Sequence, residues 1–348
     1  MTLSRRALVL SALAVPALAA CGGAAEESAD APAAGGGAGA GAYPVTITHL
    51  YGQTVLEAEP ARIATVSWVN ADSALALGIV PVGMPTVTWG GNDNGSTDWI
   101  DEKLAELGAA WGGEGAPTQY DETDGVNLDE IAALTPDLIV AAYSGLTEEE
   151  YTQLSKIAPT IGPIAANYTT SWQEALTAVA AATGRDEEAE SLIAQVEADL
   201  AAVGEQNPAV AGSTFIAGTL GLADNSIALY VGEDTRPRFF TALGMSPAEV
   251  VAENAGGADS FYVDWSAERA DELVSDLFYT WGEAGVTVED LQANELFAQI
   301  PAVASGGVVI TDDDHTTLSI SAASALSLPW AIENVVPSII EVAERVAS

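Results

Sequence analysis

Two arginines, Arg236 and Arg238, stand two residues apart in a chain with only 10 basic residues against 50 acidic ones. A guanidinium group presents a planar fork of donors that matches paired anionic oxygens, so both are candidates for recognising an oxygen-rich ligand. In the other reading of the segment, one of them simply pairs with Glu233 or Asp234. A second set is aromatic. Trp68, Trp89 and Tyr143 each follow a predicted strand, and Tyr168 and Tyr230 lie in comparable loop positions. Parallel sheets place ligands beyond the carboxyl ends of their strands, and an aromatic face is a platform for a flat ligand. The competing reading for each of these rings is ordinary core packing.

Other chemistry has little to work with. The chain has no G-x-S-x-G, no H-E-x-x-H and no phosphate-cradling glycine loop, so no catalytic residue is expected. The two histidines, His49 and His315, are too distant in sequence to suggest a metal-ligand set, and no resident metal or cofactor is expected. The single cysteine, Cys21, permits no intramolecular disulfide. A formal charge of −40 repels nucleic acid and anionic lipid surfaces and favours solubility.

The elements that must position these residues alternate short apolar runs with amphipathic stretches, which predicts an α/β architecture. Arg62–Val66 reads as a strand followed by a helix over about Ala71–Leu77, which Gly78 ends. Val80–Gly83 begins another extended segment. Asn127 caps a short helix, with Glu130 placed to bond back to it, and Thr147 with Glu150 repeats the pattern. Asp137–Ala142 is apolar on both faces, as a strand inside a covered parallel sheet must be. Asp186–Val203 holds no glycine or proline and carries apolar residues at helical spacing, so a long rod is predicted near the middle of the chain. Beyond it, Phe215–Ala217, Leu277–Tyr279 and Val308–Ile310 read as strands, Pro237–Leu243 as a helix stopped by Gly244, and Trp330–Val346 as one closing helix. Leu128–Ile139 can also be laid on Ala267–Phe278 at an offset of 139 residues, matching Asp129 with Glu268 and Asp137 with Asp276, as two similar lobes would require.

The N-terminal stretch has a different character. Arg5 and Arg6 precede an apolar run, Ala7–Ala20, that is too short to span a bilayer and ends in Leu18-Ala19-Ala20-Cys21. This resembles a bacterial lipoprotein signal whose cysteine is acylated. Ser4-Arg5-Arg6 fits either a twin-arginine or a plain export signal. Residues 22–42 contain no large apolar side chain and read as a flexible tether.

The stretches Pro60–Ala64, Leu75–Gly83, Asn127–Ile139, Leu154–Thr160, Ser260–Tyr262, Ser266–Arg269, Pro301–Val303 and Leu326–Trp330, in this order and spacing, resemble the helical-hinge substrate-binding proteins of ABC importers. These serve ferric siderophores, haem and cobalamin. The resemblance implies two Rossmann-like lobes joined by one long helix, with a ligand cleft between them. The expected divisions are a signal at 1–21, a tether at 22–42, an N-terminal lobe at 43–169, connecting helices at 170–206 and a C-terminal lobe at 207–348.

It further implies a monomer, lipid-anchored through Cys21 on the outer face of the cell membrane, that captures an iron chelate and passes it to a permease coupled to an ATPase. Gly232–Phe239 resembles the cleft-facing segment of the siderophore branch, which would set Arg236 and Arg238 against iron-bound hydroxamate, catecholate or carboxylate oxygens. By position, Asp129 and Glu268 correspond to the carboxylates that meet the permease, and Glu130 could take the place of Asp129. First-turn acids are also favoured by the helix dipole alone. Haem, through Tyr143 or Tyr168, and cobalamin are the alternative ligands.

Overall fold

The computed structural model describes residues 43–254, 261–282 and 285–348. The expectations for the signal, the tether and Cys21, and for Ser260, lie outside the described residues.

The first half of this chain builds a hairpin and a sheet. Strands β1 (Val45–His49) and β2 (Gly52–Leu56) pair antiparallel. Strands β3 (Ile63–Thr65), β4 (Gly83–Pro85), β5 (Thr118–Tyr120), β6 (Leu138–Val140) and β7 (Thr160–Ile161) form an all-parallel sheet in the order β5-β4-β3-β6-β7.

The second half repeats this wiring. Strand β8 (Thr214–Gly221) takes the place of β3, with β10 (Ser246–Pro247) and β12 (Leu277–Trp281) parallel on either side and β13 (Val308–Thr311) beyond β12. Strands β9 (Ser226–Tyr230) and β11 (Tyr262–Trp265) extend the other edge antiparallel.

Burial explains why the strands read as unbroken apolar runs. In β6, Leu138 and Val140 face one core while Ile139 faces another. In β12, Leu277 and Tyr279 face that same first core while Phe278 faces a third. One core therefore runs between the two sheets and each sheet has a second core on its outer face, leaving no polar side for central strands such as β6 and β12 to show. The fold is the α/β, two-lobed arrangement expected from the pattern of elements.

The long rod spans Asp186–Gln206, 21 residues or ~31 Å at 1.5 Å per residue. It runs through Gly204 instead of stopping at Val203. A Cβ on Gly204 would lie 2.2 Å from the Leu243 carbonyl oxygen, so the missing side chain lets the helix press on the second lobe's backbone. Asp186, Glu187 and Glu188 fill its first turn, where the helix dipole favours negative charge.

Other boundaries follow from local chemistry. Asn127 accepts the Glu130 N–H at 3.2 Å, and Thr147 with Glu150 forms the reciprocal cap. The expected single closing helix is two helices, Ser327–Asn334 and Val336–Ala347. Pro337 sits in the first turn of the second, where its lack of an N–H costs nothing, whereas inside a continuous helix it would remove a bond and clash. Glu268 lies on a 3-10 turn, Ala267–Glu272, and not on an α-helix like its counterpart Asp129. No described helix is long and apolar enough to cross a membrane.

Candidate ligand-binding cleft

A cavity of about 380 Å³ opens where the carboxyl ends of both sheets face each other. The first half contributes Trp68, Trp89, Tyr143 and Tyr168, and the second half contributes Tyr230, Asp234, Arg236, Phe261, Trp281 and Ser321. The rings form a continuous wall. Trp68 lies 6.2 Å from Trp89 and 6.3 Å from Tyr168 between centroids, Trp89 lies 5.6 Å from Trp281, and Tyr143 lies 5.6 Å from Tyr168. Trp68 and Tyr168 stay 39% and 38% exposed, a large apolar surface to leave facing solvent.

Trp68 is held by strained backbone. Ser67 and Val69 on either side have φ of 66° and 68°, and Tyr168 has 60°. Left-handed backbone is costly for a β-branched valine, and such strain persists only where the surroundings impose it. Buried Asn70 supplies part of that restraint. Its Nδ2 donates to the carbonyls of Val66 at 2.6 Å, Trp68 at 3.1 Å and Tyr143 at 2.9 Å, and its Oδ1 accepts the Tyr143 N–H at 3.1 Å. One amide thus fixes two rings of the wall against each other. Glu122 accepts the Ser67 N–H at 2.9 Å. Burial raises the Glu122 pKa to about 7, the Ser67 bond opposes that rise, and the nearby Glu150 charge adds to it.

On the other wall, Arg236 and Asp234 are both buried and form a bidentate pair, with Nε to Oδ1 and Nη2 to Oδ2 both at 2.8 Å. Asp234 also caps the helix Thr235–Ala242, accepting the Arg236 N–H at 2.9 Å. The guanidinium carbon lies 3.3 Å from the Tyr230 ring centroid, and Trp281 Nε1 donates to the Tyr230 hydroxyl at 2.6 Å. Burial pulls the guanidinium pKa down, but the bonds and charge of Asp234 outweigh it, so Arg236 stays charged. Burial pushes the Tyr143 and Tyr230 phenols up, leaving both neutral O–H groups. Ser321 also lines the cavity, with its hydroxyl buried and without a hydrogen-bond partner among the described residues.

Of the residues singled out in the sequence, Trp68, Trp89, Tyr143, Tyr168, Tyr230 and Arg236 meet here. Arg236 both lines the cavity and pairs with Asp234. Arg238 does not join them. It lines a separate cavity of about 760 Å³ with Trp172, Glu197 and Leu200, because residues two apart on a helix point to different sides. Sequence reasoning passed over Trp281, although it ends a buried strand just as Trp68 follows one. Asp234 stands out in the sequence only as a partner for an arginine, and Phe261 and Ser321 give no comparable signal. Asp129, Glu130 and Glu268 are exposed and make no ion pair among the described residues. Each lies where the chain turns back from a strand's carboxyl end, β5 for the first two and β11 for Glu268, which is the edge that carries the cavity.

Comparison with known proteins agrees with this geometry. PiaA of Streptococcus pneumoniae TIGR4, solved in complex with ferrichrome, superposes with a TM-score of 0.78 at 32% identity, covering 86% of this chain and 99% of that one. The putative ABC transporter substrate-binding lipoprotein YhfQ of Bacillus subtilis (strain 168) is 26% identical over 281 residues, 77% of this chain and 81% of that protein. The ferric enterobactin-binding periplasmic protein FepB of Escherichia coli O6:H1 is 26% identical over 274 residues, 75% and 81% of the two chains. Residues 63–315 match the family profile described as periplasmic binding protein, and the chain belongs to that family.

Proposed function

We propose that this protein is the extracytoplasmic receptor of an ABC importer, and that it binds a ferric siderophore between its lobes and delivers it to a permease driven by an ATPase. The observation that carries the reading is the aromatic wall facing Arg236 across one open cavity. Flat rings accommodate the apolar flanks of a chelate, while the guanidinium and the phenols can donate to its iron-bound oxygens. Iron enters as cargo within the chelate. The similarity to a ferrichrome-bound protein and to a ferric enterobactin-binding protein supports the same reading.

The anchor is Cys21, which follows a basic and then an apolar stretch, and the relatives named as lipoproteins support it. Cys21→Ser should abolish lipid labelling and release the protein from the membrane fraction.

Four tryptophan or tyrosine pairs of the wall are in ring contact, so a bound ferric chelate should quench intrinsic fluorescence. The test is a titration with ferric siderophores, haem and cobalamin. Saturable quenching by a ferric siderophore at sub-micromolar concentration is expected. Quenching by haem or cobalamin alone would overturn the siderophore reading.

A further inference from the structure

Among the described residues, the cavity that this reading makes a ferric-chelate site is lined by two charged residues, and they cancel. Asp234 and Arg236 pair through Nε and Nη2, both at 2.8 Å, with relative exposures of 5% and 8%. The Tyr230 ring, 3.3 Å from the guanidinium carbon, closes one of its faces. Among the described residues no other lysine or arginine lines the cavity, and Arg238 belongs to a different one.

The surroundings push the same way. Trp281 is shared with a neighbouring cavity whose lining includes Asp312, Asp313 and Asp314, and the whole chain carries −40. The ring faces of the wall are electron-rich and do not attract anions. A negative ligand entering here therefore meets a cation already neutralised, a buried carboxylate beside it and acids at the margin. Low polarity keeps these interactions strong, since buried charges are screened far less than exposed ones.

Chelate chemistry divides along this line. Each hydroxamate gives up one proton on binding ferric iron, so a ferric trihydroxamate is electrically neutral. Each catecholate gives up two, so a ferric tris-catecholate is strongly anionic, and ferric carboxylate chelates are also negative. We infer that Asp234 is a specificity-determining residue: by holding Arg236 in a neutral pair, it tunes the cleft to uncharged ferric trihydroxamates and turns away anionic catecholate and carboxylate chelates.

The test measures fluorescence quenching by ferrichrome, ferric enterobactin and ferric dicitrate with wild type, Asp234→Asn and Asp234→Glu. Asparagine keeps an oxygen for the helix cap and for Arg236 but removes the charge, leaving the guanidinium cationic toward ligand. Wild type should prefer the neutral chelate by about a hundredfold or more, a gap set by buried charges. Asp234→Asn should raise the anionic-to-neutral affinity ratio by about tenfold or more, and Asp234→Glu should keep the wild-type preference. A carboxylate that only supported the fold would change all three affinities together and leave the ratio alone.

Wild-type binding of an anionic chelate as tight as that of ferrichrome would overturn the charge filter while leaving the siderophore reading intact. An unchanged ratio in a folded Asp234→Asn protein would overturn the role of Asp234. Failure of all three chelates with wild type would overturn the siderophore reading itself. Thermal unfolding of each variant separates a lost fold from a changed preference. If Asp234→Asn does not fold, the wild-type order of affinities and its salt dependence still decide the charge filter.

Discussion

Asp137 and Asp276, 139 residues apart, hold the same post in the two sheets. Each stands just before the strand beside the first strand of its sheet, and each carboxylate grips the backbone where that first strand begins. Asp137 accepts the N–H groups of Ala61 at 2.9 Å and Arg62 at 2.8 Å, and Asp276 accepts the N–H and hydroxyl of Thr214, both at 2.7 Å. The short alignment that paired these two aspartates in the sequence is thus matched by a shared structural task. Asp276→Ala leaves two donors of Thr214 without their partner, near solvent, and should cost about 1–2 kcal/mol of stability. Chemical denaturation should register that loss with ligand affinity unchanged, because the site lies at the opposite end of the strands.

The division between Arg236 and Arg238 sets a second expectation. Trp281 packs at a tilt against Trp89 and bonds to Tyr230, so Trp281→Ala should weaken chelate binding by about tenfold or more, as loss of a central aromatic anchor does. Arg238→Ala, in a separate cavity, should change the affinity by less than about twofold. Isothermal titration of both variants checks the contrast, and a large loss in Arg238→Ala would mean the ligand reaches beyond the aromatic cavity.

Asp72 joins the two halves of the protein and should make stability depend on pH. Its Oδ1 accepts from Trp99 Nε1 and from the Ser324 hydroxyl, each at 2.8 Å, although Ser324 is 252 residues away. Burial raises its pKa from 3.8 to about 6, against the opposing pull of the Ser324 and Trp99 bonds. The folded state therefore holds the proton more tightly than the unfolded chain. The stability this provides is complete below about pH 3.8 and is lost as pH rises through about 6. The difference corresponds to ~3 kcal/mol at most, at 1.36 kcal/mol per pKa unit. Asp72→Asn keeps an acceptor for both donors without the charge. Melting curves from pH 4 to 8 should show it gaining stability over wild type only toward the alkaline end, and a constant difference across that range would count against the assignment.

The exposed acids at the cavity-bearing edge predict a separation of binding from transport. Glu268→Arg should leave chelate affinity and thermal stability unchanged while sharply reducing uptake, because reversing a rim charge adds repulsion against a cationic partner surface. Asp129→Arg should act in the same direction more weakly, since Glu130 adjoins it on the same exposed turn. Uptake of labelled chelate by cells carrying the double reversal is the measurement. Normal uptake would identify these acids as solvated helix starts.

Much of this protein is local in origin and so legible in its sequence. Strands buried on both faces must be apolar throughout, which exposes Leu138–Val140 and Leu277–Tyr279 to a reader of the sequence alone. Caps such as Thr147 with Glu150 close within three residues, and helix Asp186–Gln206 declares itself by spacing and by the absence of breakers up to Gly204. The aromatic wall was partly legible for the same reason, since a ring just past a parallel strand is aimed at the crevice by topology. Contacts between distant segments decided the rest. Only packing brought the Asp234–Arg236 pair into one cavity with Trp68, Trp89 and Tyr143 while turning Arg238 into another, and only packing brought Ser324 to Asp72 and Ser321 to the wall. Those outcomes depend on helix phase and on how two sheets meet across a shared core, which no residue's own neighbours encode.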